Sequence, residues 1–514
     1  NMEAFKAFAQ SNDWSLLLPE LVLAGGALLL LCREAFRKDN RSSGRGLPIL
    51  IQGSLLLYVV LNYLSFDPNS DVTAFSGMIK QGFRADAMRA FFLCCALLTT
   101  ILATPFLKER NLPEAEFHAI TSIAAAGMML LAQSNHFLML FVSLEMVAVC
   151  FYVLVGYHRG NAHSLEAGLK YLVFGAMSSA ILLFGIVLIY GSAGNPAAWT
   201  ALGGVAPDAL SFDCVASFAH VHSDSIPLRL GVAFLLVGLA FKLGAFPFQA
   251  WVPDVYQGAP TPVTAFLAVA SKGVGFVVLF NLVTGPLADL RDFLTPILSL
   301  VAALTILVGN LAALTQSNVK RLMGLSGVAH AGYLLVGIIA AMNPLIPEHR
   351  VFWAIVFYLL TYMLGSYLVF GVMGLVAGSN DTDQPRSRFS SLSQTRPFLA
   401  FSLVVGLGSL AGIPPFAGFI GKLLLFVVAF QAGLHGLFGI MVIGVVISIY
   451  YYFAWIREAV FPPLSALDEG VETRENSLKK QRPSTAIVFV LGLLAVATLV
   501  LGLYQGPVGE IFSF

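Results

Sequence analysis

Apolar runs of roughly 20 residues recur along the whole chain, with polar residues gathered between them. That length is what a helix needs to cross the hydrocarbon core of a bilayer. The pattern predicts fourteen spanning helices, near 14–32, 48–64, 90–107, 117–133, 137–157, 167–191, 229–251, 261–282, 294–314, 322–342, 351–377, 397–431, 434–456 and 485–505. The twelfth run is overlong and contains a break. The first run has no basic leader and no convincing cleavage site, so it is read as a retained helix rather than a signal peptide. The fold class is therefore an all-α polytopic membrane protein.

Two runs are interrupted. GLAFKLGAFPFQAWVPDVYQGAP (238–260) begins as a membrane helix and then carries Pro247, Pro253 and Pro260. SLAGIPPFAGFIGKLLLF (409–426) carries Gly412, Pro414, Pro415, Gly418 and Gly421. Proline removes a backbone donor and clashes with the preceding turn. At membrane depth such a break persists only where protein or a wet cavity satisfies the freed backbone. Either break alone could be an ordinary helix end beside a loop. Together they fall in spans seven and twelve, five spans apart. Five is odd, so two consecutive five-helix units have opposite membrane orientation, and spans four to eight answer spans nine to thirteen. Paired broken helices in inverted repeats point to ion sites near the midplane. The expected division is 1–114 for helices one to three, 115–283 and 284–456 for the two repeats, and 457–514 for a loop and the last helix.

Charge sharpens the picture. Only 11% of residues are charged and 58% are apolar, against about 25% charged in soluble domains. A net charge of +1 argues against a nucleic-acid partner. No segment outside the apolar runs is long enough for a cofactor domain, and no phosphate-binding glycine motif stands in a strand–helix context. Cys32, Cys94, Cys95, Cys150 and Cys214 lack metal-site spacing and read as packing residues. Of the 29 Lys and Arg residues, eighteen fall in the loops after odd-numbered spans and seven on the opposite side with both termini. The positive-inside rule then places the richer side in the cytoplasm and both termini outside.

The remaining four are Lys170, Lys242, Lys272 and Lys422, each within an apolar run, and Glu145 lies in another. A Lys at the centre of a membrane helix costs roughly 3 kcal/mol on insertion scales and is normally retained for work. An apolar surrounding disfavours a charged ammonium, and a neighbouring carboxylate restores it. An acid that holds and a base that releases make a switch, so these residues suggest a proton path. The bland alternative for Glu145 and Lys242 is a fixed ion pair between helices. Lys170, a few residues after Glu166, also fits a structural or access role, and His330 fits helix packing as well as a relay. Glu20 reads as interfacial, Tyr450, Tyr451 and Tyr452 as an interfacial belt, and Asp254 as a loop cap. Ser271, Gly273 and Gly275 leave little bulk beside Lys272, which predicts room for water around it and a place on an internal hydrated axis.

The motifs FKLGAFPFQAWVPDVYQGAPTPV, ASKGVGF, LTQSNVKRLMGLSGVAHAGYLLVG and AGIPPFAGFIGKL occur in order between about 115 and 456, with FRADAMRAFF before them. This arrangement resembles the antiporter-like membrane subunits of respiratory complex I. Within that family WVPDVYQGAP resembles the subunit N, or chain 2, branch, which has a photosynthetic counterpart. The same wording and Lys422 distinguish the chain from the M-type sister, which has Glu at that point, and from Mrp-type antiporter subunits. The resemblance implies proton translocation coupled to electron transfer from NADH or another donor to quinone. It implies no redox cofactor in this chain, with NADH, FMN, iron–sulfur clusters and quinone handled by other subunits. It implies M-like and K/J-like membrane neighbours, and a bacterial inner membrane, a thylakoid or another energy-coupling membrane. By the same resemblance Glu145 and Lys242 form the relay pair of spans five and seven, Lys272 links along the central axis, and Lys422 serves the second half-channel. Lys170 and His330 match sixth- and tenth-span positions. One position departs from the pattern: Gln249 stands where many relatives carry His, and glutamine can hold a water but carries no proton at ordinary pH. A stand-alone Mrp-type cation/proton antiporter is the rival reading, and a purely structural scaffold is disfavoured by five buried charges.

Overall fold

With no water in a bilayer core, the backbone must satisfy itself, and helices do this within one segment. The computed structural model is helical accordingly; it describes residues 12–36, 46–65, 71–200, 208–378, 381–461 and 484–504. Among these residues thirteen helices are long and apolar enough to cross a membrane, from Trp14–Ala35 to Thr485–Leu503. The twelfth expected span is instead two helices of 15 residues, Pro397–Ala411 and Ala417–Gln431. Each falls short of the roughly 20 residues a crossing needs. Span seven, Ile226–Leu243, ends before residues 244–250 and is followed by a short helix, Trp251–Gly258.

Both interruptions begin alike. Gly244 (φ +67°) and Gly412 (φ +77°) cap the preceding helices in the left-handed conformation that glycine adopts without steric cost. Protein groups then take the freed backbone. Trp251 Nε1 donates to the Phe241 carbonyl at 3.2 Å, and Thr305 Oγ1 accepts from the Phe246 N–H at 3.0 Å. In the other break Ser409 Oγ accepts from the Gly418 N–H at 3.1 Å.

The helices sort by depth within the bundle. An 18-residue apolar stretch of Val319–Ala341 is wholly buried, as is 94% of one in Thr261–Thr284 and 89% of one in Glu348–Val376, against 22% in Gly46–Ser65. The three inner helices carry His330, Lys272 and a row of tyrosines. Thr261–Thr284 contains one π-helical turn, Leu267–Ser271, directly before Lys272; such turns are frequent at functional sites. A two-stranded hairpin, Val72–Ala74 with Ile79–Gln81, lies between the second and third helices.

Several expectations need correction. Helices begin at Phe83, Ala162 and Val319, earlier than 90, 167 and 322. Apolar windows stop at the first charges, whereas the helices run on because those charges find partners. Arg89 and Lys320, counted above as loop residues, are therefore buried within helices. Glu20 is not on the protein surface. It is 3% exposed and takes two hydrogen bonds from Arg89 at 2.8 Å and one from Gln133 at 2.6 Å, while Arg89 also binds Asp86 at 2.8 Å. Tyr451 and Tyr452 point inward, leaving only Tyr450 on the surface. Cys95, Cys150 and Cys214 are buried, but Cys32 is exposed; all five cysteines are free. Much of the basic count that set the orientation lies in 37–45 and 462–483, outside the described residues.

Candidate functional site

Glu145 projects from Phe137–Val155 and Lys242 from the last turn of Ile226–Leu243. The fold brings them together, with Lys242 Nζ 4.0 Å from Glu145 Oε1. That separation is a loose contact that leaves the carboxylate open to other donors. Ser179 donates a hydrogen bond to the same oxygen. The ring of Tyr152 lies 6.0 Å from Lys242 Nζ. Gln249, in the adjoining break, has its Oε1 buried without a hydrogen-bond partner among the described residues.

Lys272 is 4% exposed and donates to the Tyr256 hydroxyl at 3.1 Å. The expected room beside Gly273 and Gly275 is filled. Phe91 packs on the first and Leu243, the neighbour of Lys242, on the second. Small residues here allow close packing rather than hydration. Space at the ammonium comes from the facing helix. A Cβ on Gly327 would stand 2.6 Å from Lys272 Nζ and 3.0 Å from the Tyr362 hydroxyl. The Tyr362 ring lies 5.8 Å from Lys272 Nζ and 4.8 Å from the His330 ring.

His330 is held by two hydroxyls, Tyr358 at 2.7 Å from Nδ1 and Tyr452 at 3.3 Å from Nε2. Lys422 Nζ donates to the Ala411 carbonyl at 2.8 Å. That carbonyl ends the Pro397–Ala411 helix, so the cation sits at the negative end of a helix dipole. A cavity of about 10 Å³ joins Lys422 to His330, lined also by Tyr358, Thr361, Tyr362 and Ser409. Polar side chains share its lining with Leu410 and Gly418, and its size is at the lower limit for one water. Neither Lys272 nor Lys422 has a carboxylate partner among the described residues.

Lys170 departs from its expected place. It is not isolated in the membrane interior. Its side chain is 38% exposed and lies 2.8 Å from both Glu166 and Asp254. Arg321 adds a hydrogen bond to Asp254 at 2.6 Å and another to Gln257 at 3.0 Å. Asp254 is thus the hub of a rim network rather than a loop cap. Burial raises the Asp254 carboxyl, but the hydrogen bonds from Lys170 and Arg321 outweigh it and hold it below the usual carboxylate range. A depressed folded value gives stability that is complete above the unfolded pKa of about 3.9 and is lost as pH falls through the folded value. In thermal unfolding of the purified protein, Asp254→Asn is expected to lower stability modestly at neutral pH, by about 1 kcal/mol or less for partly exposed pairs. The difference from wild type should vanish in acid. A difference that persists unchanged below the carboxylate range would contradict this.

Residues 134–448 match the family model described as NADH:quinone oxidoreductase/Mrp antiporter, TM. The chain belongs to this family. Among curated relatives, NADH-quinone oxidoreductase subunit N 1 of Opitutus terrae is 47% identical over 99% of both chains. NAD(P)H-quinone oxidoreductase subunit 2 of Gloeothece citriformis is 35% identical over 91% of this chain and 87% of that one. A chain in the structure of respiratory complex I from Thermus thermophilus with bound aureothin is 29% identical, with 95% of this chain and 98% of that chain covered and a TM-score of 0.73.

This family member has polar groups that the charge count missed. Lys320 is 0% exposed and pairs with Asp381 at 3.2 Å. A signal for it was present: Asn318 caps the helix, its side chain accepting from the Lys320 N–H at 3.0 Å, which places Lys320 inside the first turn. Tyr256, Tyr358, Tyr362 and Tyr452 surround Lys272 and His330. Tyr358, Tyr362 and Tyr452 are uncharged residues in apolar runs, and Tyr256 follows a break, so none carries a charge signal in the sequence.

Proposed function

We propose that this chain is the N-type antiporter-like membrane subunit of a proton-pumping NADH:quinone oxidoreductase, moving protons while other subunits carry electrons to quinone. The observation that carries the reading is the match to a subunit N protein over nearly the full length of both chains. Glu145 and Lys242 form the switch of the first half. With the pair closed, the carboxylate holds the ammonium charged; with it open, an apolar surrounding favours proton release. The 4.0 Å separation supports a contact that opens and closes. Lys272 passes protons along the central axis, His330 and Lys422 serve the second half, and the Lys170–Asp254 rim gives access. The cavity between Lys422 and His330 supports a water-bridged step there.

The two halves, 115–283 and 284–456, act as inverted repeats, a reading supported by the like-built breaks at Gly244 and Gly412. Neighbours are M-like and K/J-like membrane subunits. NADH, FMN, iron–sulfur clusters and quinone belong to the rest of the complex. The setting is a bacterial inner membrane with both termini outside. Purification through a tag on this chain tests the assignment. Co-purification of an NADH- or ferredoxin-oxidising, quinone-reducing complex containing iron–sulfur clusters is expected. Recovery in a complex with cation/proton exchange and no redox centres would replace this reading with the Mrp-type one.

A further inference from the structure

Lys320 and Asp381 take no part in the relay proposed above, yet both are charged and buried. Burying an ion pair is costly, and its geometry must repay that cost. Their partners are the two ends of a helix junction. Trp251–Gly258 finishes, Pro260 follows, and Thr261–Thr284 begins. Proline has no N–H to offer. The Ala259 carbonyl and the Thr261 N–H are therefore helix-end groups in need of partners. Lys320 Nζ donates to the Ala259 carbonyl at 2.6 Å. Asp381 accepts from the Thr261 N–H at 3.0 Å and from its hydroxyl at 2.5 Å. Gln384 Nε2 donates to the same carboxylate at 3.1 Å. A cation thus meets a helix C-terminus and an anion a helix N-terminus, as each helix dipole favours. Arg321, the next residue, holds the Trp251–Gly258 helix again through Asp254 and Gln257.

The contact between Tyr256 and Lys272 spans this junction. Tyr256 lies on the helix before it and Lys272 on the helix after it, with the hydroxyl and the ammonium 3.1 Å apart. We infer that Lys320 and Asp381 are positioning residues for Lys272, pinning the Ala259–Thr261 junction so that the Tyr256 hydroxyl meets the Lys272 ammonium. This rests on the relay role proposed for Lys272. With the junction loosened, Tyr256 swings away from the ammonium, and the proton held there loses its fixed hydrogen-bond partner.

The test uses the assembled complex with Lys320→Met, Asp381→Asn, Tyr256→Phe, Lys320→Met with Tyr256→Phe, and Lys272→Met. Coupled quinone reduction, proton pumping and the pH profile of turnover are read in each. Lys320→Met and Asp381→Asn should each slow coupled turnover by about tenfold, since a misplacement of roughly 1 Å can cost up to a hundredfold. The pH profile, set at this site by Lys272 with Tyr256 and Tyr362 facing it, should shift as it does in Tyr256→Phe. The double variant should be no slower than the slower of its two singles, because residues acting through one contact do not add. Multiplying losses in the double variant, or wild-type turnover in both Lys320→Met and Asp381→Asn, would overturn the inference. Failure of the shape-conserving Asp381→Asn complex to assemble would make the pair a folding element and overturn it as well. Lys272→Met separates the two layers. If it pumps normally, the relay reading itself fails. If it is impaired while Lys320→Met and Asp381→Asn are silent, only this inference fails.

Discussion

Replacing Lys272 by arginine is expected to slow coupled quinone reduction and pumping about as much as replacing it by methionine. The two substitutions separate a relay from an anchor. Arginine keeps the charge and can still donate to Tyr256, but it does not release a proton at accessible pH. Methionine removes the charge and keeps much of the stem. A lysine that only anchors the Thr261–Thr284 helix through Tyr256 tolerates arginine and suffers from methionine. A lysine that must give up its proton fails with both. The fit is tight, because a Cβ on Gly327 would stand only 2.6 Å from Lys272 Nζ, so assembly is read beside turnover. The loss should be on the order of a hundredfold, the low end of what a positioned proton-transfer group contributes. Assembly, checked by subunit content, should be unchanged. Near-normal pumping in Lys272→Arg would count decisively against the relay.

The second large effect is expected at the two breaks. Lys242 stands beside the first and Lys422 beside the second, and their surroundings differ. Lys242 faces a carboxylate at 4.0 Å, whereas Lys422 faces the carbonyl end of a helix at 2.8 Å. A carboxylate can itself take a proton; a helix carbonyl cannot. Glu145→Gln should therefore impair turnover through Lys242 and leave Lys422 without a direct loss. Lys242→Met and Lys422→Met should each lower coupled turnover by on the order of a hundredfold. If the relay is serial, the pair of changes together should cost little more than either alone. Turnover within a factor of about two of wild type in both single variants would rule out a required role for either lysine.

How much of this was legible in the sequence depended on the kind of signal. Helix number and the two interruptions were readable because bilayer thickness sets run length and proline breaks a helix wherever it stands. Glu145, Lys242, Lys272 and Lys422 were readable because charge inside an apolar run is costly and therefore conspicuous. The same rule misplaced Lys170, which pairs with nearby Glu166 and also with Asp254, 84 residues away and brought to it only through the fold. It also hid Lys320, Arg89 and Glu20. These sit at the ends of apolar runs, where charge looks like loop chemistry. Their burial follows from long-range pairing, with Asp381 for Lys320 and with each other for Arg89 and Glu20. The space beside Lys272 was read from Gly273 and Gly275, neighbours in sequence, but Gly327 supplies it from another helix. Composition around one residue cannot say which helix faces it.

The most direct measurement is proton uptake into vesicles by purified, fully assembled complex carrying Lys242→Met and Lys422→Met together, read beside its rate of quinone reduction. A relay through these residues predicts that uptake collapses and that quinone reduction slows with it, because the two are coupled. Undiminished proton uptake by the assembled double variant would contradict the proposed path.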